Sequence, residues 1–162
     1  MALYAWGANS SGQLGLGHQS DSELKPQKVD LKGTDLKPEE IISIAGGGNH
    51  TLILDTNGLV YCCGGNSKEF KVVQISCGWD FSAAVCECGK QFVWGNNQYT
   101  QLGLSKSITC TGIPSRLQVS LKLASGFKQV SCGLRHSAMI TKDGELLVAG
   151  TGSKGQLGSR FK

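Results

Sequence analysis

Prolines are scarce, three among 162 residues, whereas the 23 glycines are about twice the usual share. That balance excludes a proline-rich linker and points to many tight turns between short strands. No apolar stretch approaches the ~18 residues of a membrane-spanning helix, so no membrane span is expected. The opening Met1-Ala-Leu-Tyr-Ala-Trp-Gly7 lacks the basic flank and long apolar run of a signal peptide. A cytoplasmic location, extending to the nucleus, is therefore expected. Sixteen basic against 12 acidic residues leave a net charge of +4, with no run of like charge. Nucleic acid is accordingly not expected as a partner. Seven cysteines, an odd number, exclude a complete disulfide framework within one chain and read as buried thiols. No segment has a helical period. There is no Gly-x-x-x-x-Gly-Lys-Ser/Thr phosphate loop and no serine nucleophile elbow. Nothing points to hydrolysis, to an enzyme of that kind, or to a cofactor.

What is present is repetition. Gly133-Leu-Arg-His136 leads a strand that ends at the turn Lys142-Asp143-Gly144. Gly47-Gly-Asn-His50 with Gly58, and Gly78-Trp-Asp-Phe81 with Gly89, keep the same spacing. A second block precedes the Gly47 and Gly133 units and recurs near the end. Its copies are Tyr4-Ala-Trp-Gly-Ala-Asn-Ser-Ser-Gly-Gln-Leu-Gly15, Phe92-Val-Trp-Gly-Asn-Asn-Gln-Tyr-Thr-Gln-Leu-Gly103, and a version ending Gly155-Gln-Leu-Gly158. Periodic self-similarity of this kind marks stacked repeat architectures. The units run approximately 3–58, 59–89, 90–144 and 145–162, within one domain covering 1–162. The second is shortened: Cys63, at the position of Trp6 and Trp94, precedes Phe81 by 18 residues, whereas Trp6 precedes His50 by 44 and Trp94 precedes His136 by 42.

Each unit reads as strands bounded by glycine. Strands are expected at 3–6, 41–45, 51–54, 72–76, 82–85, 90–94, 128–131, 137–140 and 145–149. The segments after Pro26 and Pro114 offer peripheral strands, since proline is confined to strand starts, bulges and edges. Asn57-Gly58 and Asp143-Gly144 carry the signal of two-residue hairpin turns.

The blocks resemble the repeats of the regulator of chromosome condensation family. The resemblance rests on Trp-Gly-x-Asn-x-x-Gly-Gln-Leu-Gly followed in register by Gly-x-x-His-Ser/Thr, and it covers nearly the whole chain. It implies an all-β fold, a β-propeller, here incomplete: about three blades with the middle one shortened. Residues 5–18, 77–81 and 133–136 are most similar to a family member that exchanges guanine nucleotides and regulates secretion. The implied function is a protein-interaction module that acts as an exchange factor on a small GTPase. The alternative is a non-catalytic scaffold or inactive form. The implied partners are a small GTPase or the secretion machinery, and the open blade ends offer an oligomer contact.

Within this frame the conserved spacing assigns roles. Trp6, Gly7, Gly47, His50, Gly78, Phe81, Trp94, Gly95, Gly133 and His136 read as structural anchors of the repeat. His50 and His136 head inner strands and hydrogen-bond a neighbouring blade; Phe81 at the third such position argues against a catalytic histidine. Trp6 and Trp94 read as core or inter-blade packing. No paired Cys-x₂₋₄-Cys elements occur, so Cys62-Cys63 and Cys86-x-Cys88 do not make a zinc site. Cys77 and Cys132 read as small core residues; Cys86 and Cys88 are expected exposed in a turn. The variable positions of the glycine bends, Asn49, Trp79, Asp80, Leu134 and Arg135, form a candidate partner-binding rim. Two readings of Trp79 stand side by side, a binding hot spot and packing on the neighbouring blade. The loops 32–40 and 105–113 are alternative contact regions.

Overall fold

The computed structural model describes residues 1–62, 71–118 and 126–158, together with the backbone of 65–67. Cys63 and the end of the last unit, 159–162, lie outside the described residues. The strands are Tyr4–Asn9 (β1), Ser20–Lys28 (β2), Ile41–Gly46 (β3), Thr51–Asp55 (β4), Val60–Cys62 (β5), Gly65–Ser67 (β6), Val72–Cys77 (β7), Phe81–Cys86 (β8), Gln91–Asn96 (β9), Cys110–Arg116 (β10), Phe127–Cys132 (β11), His136–Thr141 (β12) and Leu146–Gly150 (β13). Among the described residues the only helical element is the 3₁₀ turn Pro38–Glu40.

The strands form four separate antiparallel sheets, ordered β1-β2, β3-β4-β5-β6, β7-β8-β9-β10 and β11-β12-β13. This is an incomplete β-propeller. The second, third and fourth sheets each straddle two sequence units: the glycine-bend hairpin supplies the first two strands and the start of the next unit the third. The shortening falls on the outer edge of the second sheet, where the three-residue β6 pairs with β5.

Sheets pack face to face through side chains that alternate along each strand. Between the second and third sheets, Leu52 and Leu54 meet Val72, Ile75 and Ala84, with Phe92 and Trp94 against them. Between the third and fourth, Phe81, Ala83 and Val85 meet Phe127, Val130 and Met139. Strand β8 lies between two such layers, and all six of its residues are buried.

Two turn expectations are corrected. The hairpins at Gly58 and Gly144 are not two-residue turns. Gly58 N–H donates to Asp55 O and Asp55 N–H to Leu59 O, and the same pattern joins Thr141, Gly144 and Glu145. Only the glycine takes positive φ, +79° at Gly58 and +87° at Gly144. These are three-residue loops closed by a glycine bulge. Gly89 repeats the geometry with φ +83°. The prolines also sit differently: they lie inside β2 and β10, not ahead of them. Pro26 falls in the register shift between the Ala5–Gln27 and Gly7–Glu23 pairs, and Pro114 in that between Thr111 and Ser115. A bulge in an outer strand removes the need for the N–H that proline lacks.

Candidate functional site

The bends are built around a ring on a glycine. A Cβ on Gly47, Gly78 or Gly133 would collide with the ring of His50, Phe81 or His136 respectively. The glycine is required by contact with the third residue on. A second glycine closes the bends of Phe81 and His136 from the next strand. Gly95 has φ +102°, and a Cβ there would come 2.5 Å from the Asp80 carbonyl oxygen; Gly150, φ +109°, meets Arg135 O in the same way. Close backbone approach and left-handed φ both demand glycine here.

Neighbouring bends are tied together. His50 Nε2 lies 2.7 Å from Ser82 Oγ on the next sheet. Burial holds the His50 imidazole below its ordinary pKa of 6.5, and nearby Asp80 opposes that only in part. The ring is therefore neutral at pH 7. Thr51 Oγ1 donates to Gln13 O at 2.8 Å, and Ser137 Oγ to Gln101 O at 2.6 Å, so the residue after each histidine holds the Gln-Leu-Gly loop of the preceding sheet. Those loops are organised by Asn9 and Asn97, both fully buried. Asn97 Oδ1 accepts from Leu102 N–H while its Nδ2 donates to Ser105 O and Ile108 O; Asn9 does the same with Leu14, His18 and Ser20.

The bends between β3 and β4, β7 and β8, and β11 and β12 lie along one edge of the fan. Gly48 N–H donates to Trp79 O at 2.8 Å across two sheets. The Trp79 ring covers Gly48 so closely that a Cβ there would be 2.8 Å from its Cδ2. Even so, Trp79 remains 53% exposed. It packs on the neighbouring bend with one face and offers the other. Beside it, Asp80 Oδ2 accepts from Asn96 Nδ2 at 2.8 Å. Further along, Leu134 is 58% exposed, and the Arg135 guanidinium stands 4.4 Å from the centroid of the Tyr99 ring. That stacking fixes the cation across the third and fourth sheets. Asn49 is exposed on the first bend.

Tyr99 and Asn96 were not singled out by sequence reasoning, although a signal existed. Tyr99 occupies the position held by Ser11 and Lys154 in the other Gln-Leu-Gly blocks, the same kind of outlier as Trp79. One expected anchor, Trp6, and one cysteine depart from their reading. Trp94 packs between the second and third sheets, whereas Trp6 is 60% exposed, because the β1–β2 pair has no described sheet on the face that Trp6 points from. Cys86, expected exposed, is buried at the end of β8 in the Leu52–Leu54 cluster, and of the two cysteines only Cys88 reaches solvent. Burial pushes the Cys77 and Cys86 thiols up to about 11 and that of Cys132 to about 12. Among the described residues no group of three or more His, Cys, Asp or Glu side chains is placed to hold a metal ion, and no helix is long and apolar enough to cross a membrane.

The pattern of the regulator of chromosome condensation (RCC1) repeat matches residues 2–54 and 89–140. The chain belongs to that family. A second form of the same repeat matches 41–68, 72–101 and 127–156. The bovine (Bos taurus) secretion-regulating guanine nucleotide exchange factor is 32% identical over 93% of this chain and 36% of its own length. The human (Homo sapiens) probable E3 ubiquitin-protein ligase HERC6 is also 32% identical, over 96% of this chain and 17% of its own. Among solved structures, Prp20p of Saccharomyces cerevisiae superposes with a TM-score of 0.76 at 23% identity, over 95% of this chain and 42% of that one. The chain thus spans well under half the length of these relatives.

Proposed function

We propose that this RCC1-repeat chain is a protein-interaction module whose docking surface is the bend rim of Asn49, Trp79, Asp80, Leu134 and Arg135. The observation that carries the reading is Trp79: a large side chain pinned on Gly48 yet half exposed, with Asp80 on one side and the Tyr99-stacked Arg135 along the same edge. Exposed, pre-positioned aromatic and arginine side chains are the groups that dominate protein interfaces. The partner class is a small GTPase, with nucleotide exchange in a secretory setting as the process. The likeness to a relative bearing that activity in its name supports this choice. Exchange requires the module to hold the nucleotide-free GTPase better than the loaded one, so the rim residues bind and orient and no covalent step is needed. The rival reading, a non-catalytic scaffold, shares the rim and lacks the exchange.

A nucleotide-release assay across a panel of small GTPases, run beside a direct binding titration, tests both parts. Binding with accelerated release supports an exchange module; binding without release supports the scaffold. Trp79→Ala is expected to weaken binding by about 2 kcal/mol, roughly 30-fold in Kd. Unchanged affinity in a folded Trp79→Ala protein would move the docking surface elsewhere.

A further inference from the structure

The net charge of +4 hides an uneven distribution. Residues 1–87 carry ten acidic and six basic side chains, whereas residues 88–162 carry two and ten. Between Glu87 and Asp143 there are seven lysines and arginines and no acidic residue. Charge asymmetry of this size bears on partners and not on the fold. At the rim it meets a shaped site. Among the described residues of the third and fourth sheets, Asp80 is the only carboxylate at the bend edge, and Asn96 already bonds it. Arg135 is exposed, and no ion pair engages it among the described residues. Its guanidinium lies 4.4 Å from the Tyr99 ring centroid. Tyr99 belongs to the preceding sheet, so the cation leans back between two described sheets.

Tyr99 is itself held at both backbone groups. Its N–H donates to Gln101 Oε1 at 2.9 Å, and its carbonyl accepts from Thr100 Oγ1 at 2.6 Å. Thr100 has φ +58°, the one positive value among the described non-glycine residues. The matching residues of the other two loops are Gly12 at +72° and Gly155 at +81°. A β-branched side chain takes this conformation only against steric resistance. Space does not demand glycine there, since a Cβ on Gly12 or Gly155 would meet nothing closer than 3.8 Å. The third loop thus keeps a strained residue where its copies are relaxed, and what that residue secures is the ring beneath Arg135. Strain of that kind collects at working sites.

We propose that Arg135, braced on Tyr99 by Thr100, is a carboxylate-reading anchor that takes an acidic stretch of the partner protein. This rests on the bend rim as a docking surface and adds the charge that the rim selects. A guanidinium held by its face keeps its N–H edge for a two-pronged bond to a carboxylate, and little freedom is lost in making it. Acidic protein is favoured over nucleic acid as the occupant. A phosphate backbone needs a continuous basic stripe. Here Asp80 interrupts the rim, and Lys142 lies just past the opposite end of β12, bonded to Glu87 O.

The probe is a labelled hexaglutamate peptide, titrated against the full chain by fluorescence anisotropy at low ionic strength, with a single-stranded DNA hexamer beside it. Saturable peptide binding is expected, weakening as salt is raised. Arg135→Gln should reduce the affinity about tenfold, Arg135→Lys should recover little of it, and Lys142→Gln should change nothing. Thr100→Gly separates positioning from packing. It should raise the urea midpoint by relieving the strained φ and yet weaken the peptide about threefold, because the anchor is no longer held in place. The proposal is overturned by no binding to the folded protein, by binding that ignores Arg135→Gln or is lost equally in Lys142→Gln, or by a Thr100→Gly protein in which only the midpoint moves. Tighter binding of the DNA hexamer, lost in Arg135→Gln, would also overturn it by making nucleic acid the occupant. The titration contains no GTPase, so its failure is distinct from a failure of the GTPase panel.

Discussion

At the bends a ring is kept for shape while its chemistry varies. His50, Phe81 and His136 all lie on a glycine, and only His50 has Ser82 as a ring partner at 2.7 Å. Its folded-state pKa is depressed, so the unfolded chain binds a proton first as pH falls. Stability linked to His50 is thus intact above its ordinary pKa of 6.5 and is lost as pH drops below it. His50→Phe, copying the second bend, should fold, cost about 1 kcal/mol near neutral pH for the missing hydrogen bond, and lose that part of the acid slope. Urea midpoints of both proteins across this range check the sign; parallel slopes would contradict it. The thiols separate similarly. Cys77, Cys86 and Cys132 are held protonated by burial, so iodoacetamide should label exposed Cys88 and Cys110 first. Peptide mapping of the native protein tests that order.

Among the elements, strands were the legible part, because glycine punctuates them and apolar residues alternate between. Contacts joining one sheet to the next were less so. Gln74 illustrates the limit. Its Nε2 donates to Val130 O and its Oε1 accepts from Val130 N–H, a side chain standing in for a strand, across a sequence separation of 56. Nothing local distinguishes it from any polar residue on a strand. Gln74→Ala should cost about 2 kcal/mol by orphaning both buried groups of Val130, and Gln74→Glu should restore at most the acceptor half. A Gln74→Ala protein as stable as the parent would remove this tie. The proline bulges and the buried Cys86 were missed for a related reason: proline restricts a strand without saying where the bulge falls, and a turn cysteine does not declare which face it takes. At the rim, the variable bend positions were legible as repeat outliers, while Tyr99 became meaningful only when folding brought it under Arg135.

For the whole molecule, the count of repeats already predicted a fan instead of a ring, and four separate sheets follow. The consequence for each space between sheets was not legible, since it depends on which strand comes from which unit. Equal sequence positions end in unequal environments: Trp94 is packed and Trp6 open, Val130 sealed and Ile44 bare. The bend rim, in contrast, is assembled from three hairpins of like geometry. Native-state hydrogen exchange compares the two matched strands directly, Tyr4–Asn9 against Gln91–Asn96. An open first space predicts exchange in β1 faster than in β9 by roughly a hundredfold or more, since β9 lies between two strands and two packed faces. Equal protection of the two strands in the isolated protein would contradict it.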